Sequence, residues 1–289
     1  MRGDQFARTS AWHDARVTEQ AERYDRIAPG YARWWAPVLA PGVDGLLDRV
    51  APWLADRPLE VLDIGTGTGQ LALSALARWP EISVTGVDAS AGMRAMAESL
   101  ADTAPGSVRA RFRTEVAFAD ALPFGEGSFD MALSSFVFQL VPNRARALRE
   151  ARRVIRSGGV LAYVSWLRDD RAFEPDLIFD DVLELLDLDG RDFGGPNHDL
   201  ASAERAAGEL RRAGFSGVSA EADVLKHRFS VDGYLAFLSE FDEVALFDDL
   251  EPSVRARLLA TMRDRLTGLS PAAMTMQFPI VFASGRRSR

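Results

Sequence analysis

Leu59-Glu60-Val61-Leu62-Asp63-Ile64-Gly65-Thr66-Gly67-Thr68-Gly69 is the stretch that decides the fold. Its first six residues form a short apolar run that ends in glycines, the pattern of a buried strand. Glycine at 65, 67 and 69 lets the backbone turn sharply and leaves no Cβ in the way of a ligand. Gln70 to Trp79 then reads as a helix stopped by Pro80. Strand, glycine turn and helix in that order open a βαβ unit. The exposed amides of the turn and the helix start favour a carboxylate or phosphate.

The same rhythm continues downstream. Ile82-Ser83-Val84-Thr85-Gly86-Val87 is a second strand, and Ser90 reads as the N-cap of a helix from Ala91 to Ala101. Thr114 to Ala119 reads as a third strand and Phe129 to Ser135 as a fourth. Asn143 to Arg156 is a helix ended by Ser157-Gly158-Gly159, and Val160 to Trp166 is a fifth strand. Strands alternating with helices at this spacing imply a parallel, doubly wound α/β sheet with helices on both faces. After Trp166 the rhythm breaks, with one helix at Asp176 to Leu186. It resumes with a helix from Ser202 to Ala213 and a strand at Val218 to Leu225. Helices at Val231 to Phe247 and Pro252 to Leu266 follow, and the last strand is Met276 to Ala283. Upstream, Arg8 to Val38 reads as a helix broken by Pro29-Gly30, and Val43 to Trp53 as a second.

In such sheets ligands bind beyond the carboxyl ends of the strands. Three acids fall there. Asp63 ends the first strand. Asp88 ends the second and can accept hydrogen bonds from both ribose hydroxyls of a nucleoside. Asp120 follows the third and can accept from an adenine amino group. The spacing Gly-x-Gly-x-Gly differs from the dinucleotide fingerprint, since position 70 is glutamine. The phosphate-loop lysine is absent.

Together these motifs resemble class I S-adenosylmethionine-dependent methyltransferases, in the small-molecule branch that includes the ubiquinone and menaquinone enzymes and natural-product enzymes. Val61 to Gly69 resembles their first motif, Val87 to Met93 their second, and Asp120 to Phe124 with Ser128-Phe129-Asp130 their third and the approach to the fourth strand. Leu148 to Gly159 and Leu210 to Phe215 resemble the turns before the fifth and sixth strands. The resemblance implies a seven-stranded, mostly parallel Rossmann-like sheet with its last strand antiparallel, under a helical cap. It also implies S-adenosylmethionine as cofactor, with S-adenosylhomocysteine as product. Gly65, Thr66, Gly67 and Gly69 would pass under the methionine moiety, with Asp63 supporting the loop. Asp88 would hold the ribose, while Ala89 and Met93 pack on the adenine and Asp120 and Ala121 border its edge. Ser135 and Phe136 would face the methionine end. Tyr24 and Tyr31 sit where the N-terminal helix would close over the cofactor, or else pack that helix.

The resemblance divides the chain into N-terminal cap helices (1–58), cofactor-binding core (59–168), cap insertion (169–200), return to the core (201–230), cap helices (231–268) and final strand with tail (269–289). The cap would carry an aromatic lining of Trp34, Trp35, Trp166, Phe173, Phe179, Phe193, Tyr234, Phe237, Phe241 and Phe247. The alternative is that most are core, because the spacing of Tyr234, Phe237 and Phe241 is that of a packing face. Trp34, Gln139 and Trp166 are candidate acceptor contacts. The candidate base is His198, with His227 and His13 as further histidines. Gln139 stands where the family often has a histidine or aromatic residue.

Composition narrows the function. The 289 residues include no cysteine, which excludes disulfides and thiolate chemistry, and no motif marks a metal site. A net charge of −8 argues against nucleic acid as a partner. No apolar run reaches the length of a membrane span and no signal core is present, so a cytoplasmic protein, monomer or homodimer, is expected. Ten acids lie between Asp169 and Asp192 against two arginines, either a solvated face or a rim attracting a cation. The function expected is methyl transfer to O, N or C of a small apolar or aromatic acceptor. The alternatives are a cyclase-like enzyme that binds the cofactor without methylating, and a non-catalytic binding partner.

Overall fold

The computed structural model describes residues 21–54, 58–188 and 199–288. A seven-stranded sheet runs through the centre in the order β3-β2-β1-β4-β5-β7-β6. Its strands are β1 (Leu59–Ile64), β2 (Ile82–Asp88), β3 (Phe112–Val116), β4 (Phe129–Ser135), β5 (Ile155–Trp166), β6 (Phe215–Arg228) and β7 (Thr275–Arg287). β1 pairs in parallel with β2 and β4, β2 with β3, and β4 with β5, while β7 is antiparallel to β5 and β6. This is the doubly wound sheet with an antiparallel last strand that the motifs imply. Strand order reverses beside β1, so the crevice between β1 and β4 is where a ligand belongs.

Besides the helical residues 21–30 and a single turn at Gly106–Arg109, the helices are α1 (Ala36–Val50), α2 (Gln70–Arg78), α3 (Ala91–Asp102), α4 (Arg144–Val154), α5 (Glu174–Leu185), α6 (Ala203–Arg212), α7 (Val231–Phe237), α8 (Val244–Asp249) and α9 (Pro252–Thr267). Two layers of core flank the sheet. Leu71, Ala75 and Leu76 of α2 and Ala97 of α3 pack on one face with Val61, Val84 and Leu46. Ala147, Leu148 and Ala151 of α4 and Ala206 and Leu210 of α6 pack on the other with Leu62, Ile64 and Leu161. Burying the leucine, isoleucine and valine side chains among them stabilises the fold by about 1.5–3 kcal/mol each. Among the described residues no helix is long and apolar enough to cross a membrane.

Several elements depart from the sequence reading. Residues 21–30 are helical through Pro29-Gly30, with no break there. The helix passes into a π turn, Tyr31–Trp35, and then α1. Gly30 is a close-approach site instead: a Cβ there would lie 3.0 Å from the Glu240 carbonyl oxygen. The expected single helix from Val231 to Phe247 is three pieces, α7, a π segment Leu238–Asp242 and α8. β3 ends at Val116, three residues before the expected Ala119.

The aromatic residues of the cap pack mostly on one another. Phe179, Tyr234, Phe237 and Phe247 are buried core. Trp35 lies 5.7 Å from both Phe237 and Phe278, and Trp166 lies 4.2 Å from Phe136 and 5.0 Å from Phe278 between ring centres. The aromatic lining expected of the cap is, for these residues, a packing face. Phe193 lies outside the described residues.

Candidate active site

A cavity opens at the carboxyl ends of β1, β2 and β4. Asp88, Asp120, Tyr24 and Tyr31 supply its titratable groups, within walls that are otherwise mainly apolar.

The loop after β1 is built by backbone geometry. Gly65, Gly67 and Gly69 have φ of 70°, 54° and 84°, the left-handed region that glycine adopts without strain. The amides of Gly65 and Thr66 both donate to the Val87 carbonyl, at 2.8 Å each, which ties the loop to β2. A Cβ on Gly67 would meet nothing within 4 Å, so its face is open towards a ligand. A Cβ on Gly65 would lie 2.3 Å from Val137 Cγ2, so this glycine lets the loops after β1 and β4 meet.

Asp63 lies beneath this loop, 1% exposed. Thr66 Oγ1 donates to its Oδ2 at 2.8 Å, while Oδ1 is buried without a hydrogen-bond partner. Burial raises its pKa to about 7, the nearby Asp88 adds to the rise, and Thr66 and the Ala72 amide offset it in part. An unpartnered buried carboxylate oxygen costs free energy until a donor reaches it.

Asp88 takes the Gly67 amide on Oδ2 at 2.8 Å and the Ser90 amide on Oδ1 at 2.9 Å. Burial pushes its pKa up, and the two amides oppose that. Ser90 caps α3, accepting from the Met93 amide at 3.0 Å, as its sequence position suggests. Its hydroxyl donates to Asp25 Oδ1 at 2.6 Å, and the Gly92 amide donates to the same oxygen at 2.7 Å. These bonds hold the Asp25 carboxyl below the usual range. Asp25 thus latches the 21–30 helix to the start of α3, and Tyr24 and Tyr31 of this strap face the cavity. Their rings meet edge-on at 6.1 Å. Burial, with Tyr24 and Asp88 adding to it, pushes the Tyr31 phenol up.

Of the residues singled out from sequence, Tyr24, Tyr31, Gly65, Gly67, Asp88, Ala89, Met93, Asp120, Ser135 and Phe136 line the cavity. Asp120 does so although it follows β3 by four residues, through a turn closed by the Phe118–Ala121 bridge. Asp63, Thr66 and Gly69 are absent from the wall: Asp63 and Thr66 brace the loop from below and Gly69 caps α2. Ala121 does not reach the wall.

The acceptor candidates fare differently. Gln139 does not face the cavity. It is 3% exposed, donates from Nε2 to the Phe136 carbonyl at 2.6 Å, and accepts from Ser165 Oγ at 2.7 Å. Both polar ends of its side chain are taken by the Phe136 carbonyl and the Ser165 hydroxyl, which corrects its reading as an acceptor contact. Trp34 donates its indole N–H to Glu240 at 3.0 Å and joins the strap to the π segment. Trp166 stacks behind Phe136. His198, the candidate base, and His13 lie outside the described residues. His227 meets Phe229 edge-on at 4.5 Å between ring centres and is absent from the cavity wall, and burial lowers its pKa. Sequence reasoning missed Asp25, an ordinary surface acid until the strap folds back, and Val137, Leu140 and Pro142, which line the wall after β4.

These residues fit S-adenosylmethionine. The open face of Gly67 suits the methionine end, with Asp63 bracing the loop beneath it. Asp88 suits the ribose hydroxyls. Ala89, Met93, Phe118 and Leu140 offer apolar faces for the adenine, with Asp120 at its edge.

Residues 62–163 match a family described as a methyltransferase domain. The sheet order and the glycine loop agree with that match. Among curated relatives, the chain is 33% identical over 182 residues to the malonyl-acyl-carrier-protein O-methyltransferase of Geobacter sulfurreducens, covering 62% of this chain and 64% of that protein. It is 34% identical over 152 residues to the ubiquinone/menaquinone biosynthesis C-methyltransferase of Geotalea uraniireducens, covering 50% and 63%. The matches thus span just under two thirds of these relatives' length. Among solved structures, the 4+2 cyclase SpnF aligns over 94% of this chain and 97% of its own, with a TM-score of 0.64 and 20% identity. Phosphoethanolamine N-methyltransferase 2 of Haemonchus contortus, in complex with S-adenosyl-L-methionine, aligns over 86% and 53% with a TM-score of 0.53 and 17% identity. Both likenesses are of fold.

Proposed function

We propose that this chain transfers a methyl group from S-adenosylmethionine to an oxygen, nitrogen or carbon atom of a small apolar or aromatic acceptor. The observation that carries this reading is one cavity whose acids, Asp88 and Asp120, stand among Tyr24, Tyr31, Phe118, Phe136, Val137 and Leu140. The cofactor, when bound, supplies a methyl carbon activated by a sulfonium. The chain's own part is positioning and exclusion of water. Asp88 and the glycine loop hold and orient. The strap, latched by Asp25, closes one side. Phe136 and the loop to Pro142 form the opposite wall, against which an apolar acceptor would rest. This reading has the chain working in the cytoplasm on natural-product-like small molecules, as a monomer or homodimer.

No histidine lines the cavity among the described residues, and Tyr31 is held protonated. An acceptor acidic enough to react without a strong base suits such a site. The same observation favours a second reading, in which the bound cofactor is a scaffold and the cavity shapes a cyclisation. The full-length likeness to a cyclase agrees with it. Incubation with S-adenosylmethionine and a panel of phenols, quinols, amines and linear conjugated polyenes, followed by mass spectrometry, separates the two. A product heavier by one methyl, with S-adenosylhomocysteine formed in equal amount, is expected. A ring-closed product of unchanged mass, with the cofactor unconsumed, would replace the first reading by the second.

A further inference from the structure

Phe136 has φ of 56°, in the left-handed region where a bulky side chain is an outlier. Such a conformation persists only where its surroundings over-determine it, and it concentrates at functional sites. Phe136 directly follows β4, with its amide donating to the Val164 carbonyl at 2.8 Å. The chain then turns away and the backbone ladder with β5 stops. Two buried side chains continue it. Ser165, next along β5 and fully buried, donates from Oγ to Gln139 Oε1 at 2.7 Å. Gln139 in turn donates from Nε2 to the Phe136 carbonyl at 2.6 Å. Space filling alone would be served by an apolar side chain. Both polar ends of Gln139 are engaged, and both engagements act on the left-handed turn.

What that turn presents is the cavity wall. Ser135, Phe136, Val137, Leu140 and Pro142 all face the cavity. Val137 is the side chain against which Gly65 closes. The Phe136 ring separates the cavity from the Trp166–Phe278 stack.

We propose that Gln139, anchored by Ser165, is a positioning residue for the cofactor site: it holds Phe136 in its left-handed turn and thereby sets the wall facing the glycine loop. The inference rests on this cavity being the S-adenosylmethionine site.

The test is calorimetric titration of the full chain with S-adenosylhomocysteine in a double-mutant cycle. Gln139→Met keeps the length and removes the donor. Phe136→Gly removes the need for the donor, because glycine adopts the turn unaided. Gln139→Met is expected to weaken binding about tenfold in the wild-type background, and less than about twofold beside Phe136→Gly. Should Gln139→Met fail to fold, Ser165→Ala, which deletes one hydroxyl, goes through the same cycle with a smaller loss expected. Equal losses in both backgrounds, or no loss in either, would overturn the inference while leaving the cofactor reading intact. No binding by well-folded wild type would overturn the cofactor reading and this inference with it.

Discussion

The loops after β1 and after β4 face each other across the cavity, and both turn left-handed. The first does so with three glycines at φ of 70°, 54° and 84°, the second with a phenylalanine at 56°. The glycine loop carries its conformation in its own residues. The phenylalanine turn borrows its conformation from two buried polar side chains on neighbouring elements. The first kind of turn is visible in any sequence, whereas the second becomes visible only when Ser165, Gln139 and Phe136 are seen together.

Breaking the glycine side should have the largest effect. Gly65→Ala meets both a left-handed backbone and a contact of 2.3 Å with Val137. A loss of about 3 kcal/mol in denaturant unfolding is expected. Gly67→Ala meets only the backbone strain, since its Cβ points into open space, and should lose about 1 kcal/mol. Equal losses at the two positions would show that the loops do not constrain each other.

A second measurement reads the acid beneath the glycine loop. Burial pushes the Asp63 pKa up to about 7 in the folded chain, from an ordinary 3.8. Between those values the folded state binds more protons than the unfolded state, so this group's contribution to stability falls as pH rises from about 4 to 7. Wild type should therefore lose stability relative to Asp63→Asn across that window. A flat difference would contradict the buried, half-partnered state of Asp63.

The strap gives the smaller effects. Asp25→Ala removes the acceptor of the Ser90 hydroxyl and the Gly92 amide, and should weaken S-adenosylhomocysteine binding about five- to tenfold. An unchanged dissociation rate would show that the latch does not guard the cavity. Trp34→Phe removes one exposed bond to Glu240 and should cost about 0.5 kcal/mol or less of thermal stability, with binding changed less than about twofold.

Much of the sheet is legible in the sequence, because short apolar runs ending in glycine or in an acid leave few alternatives for β1, β2 and β4. Asp88 is legible for the same reason. β3 is misplaced because its run is half exposed and its apolar residues spill past Val116 into the turn that carries Asp120. The strap is misread at Pro29-Gly30, where glycine serves close packing against Glu240 and not a break. Gln139 is misread because a polar residue after a strand looks like a ligand contact, while its partners, Phe136 and Ser165, meet it only in the folded chain. The cap aromatics show the opposite case. Helical spacing in Tyr234, Phe237 and Phe241 marks a packing face, and the structure buries Tyr234 and Phe237 accordingly.

The most direct test of the central claim, that the crevice between β1 and β4 holds S-adenosylmethionine, is calorimetric titration with S-adenosylhomocysteine of wild type beside Asp88→Ala. One-to-one binding in the micromolar range, weakened about 100-fold or more in the variant, is the expected result. Wild-type protein that is folded, free of prebound ligand and silent in the titration would contradict it.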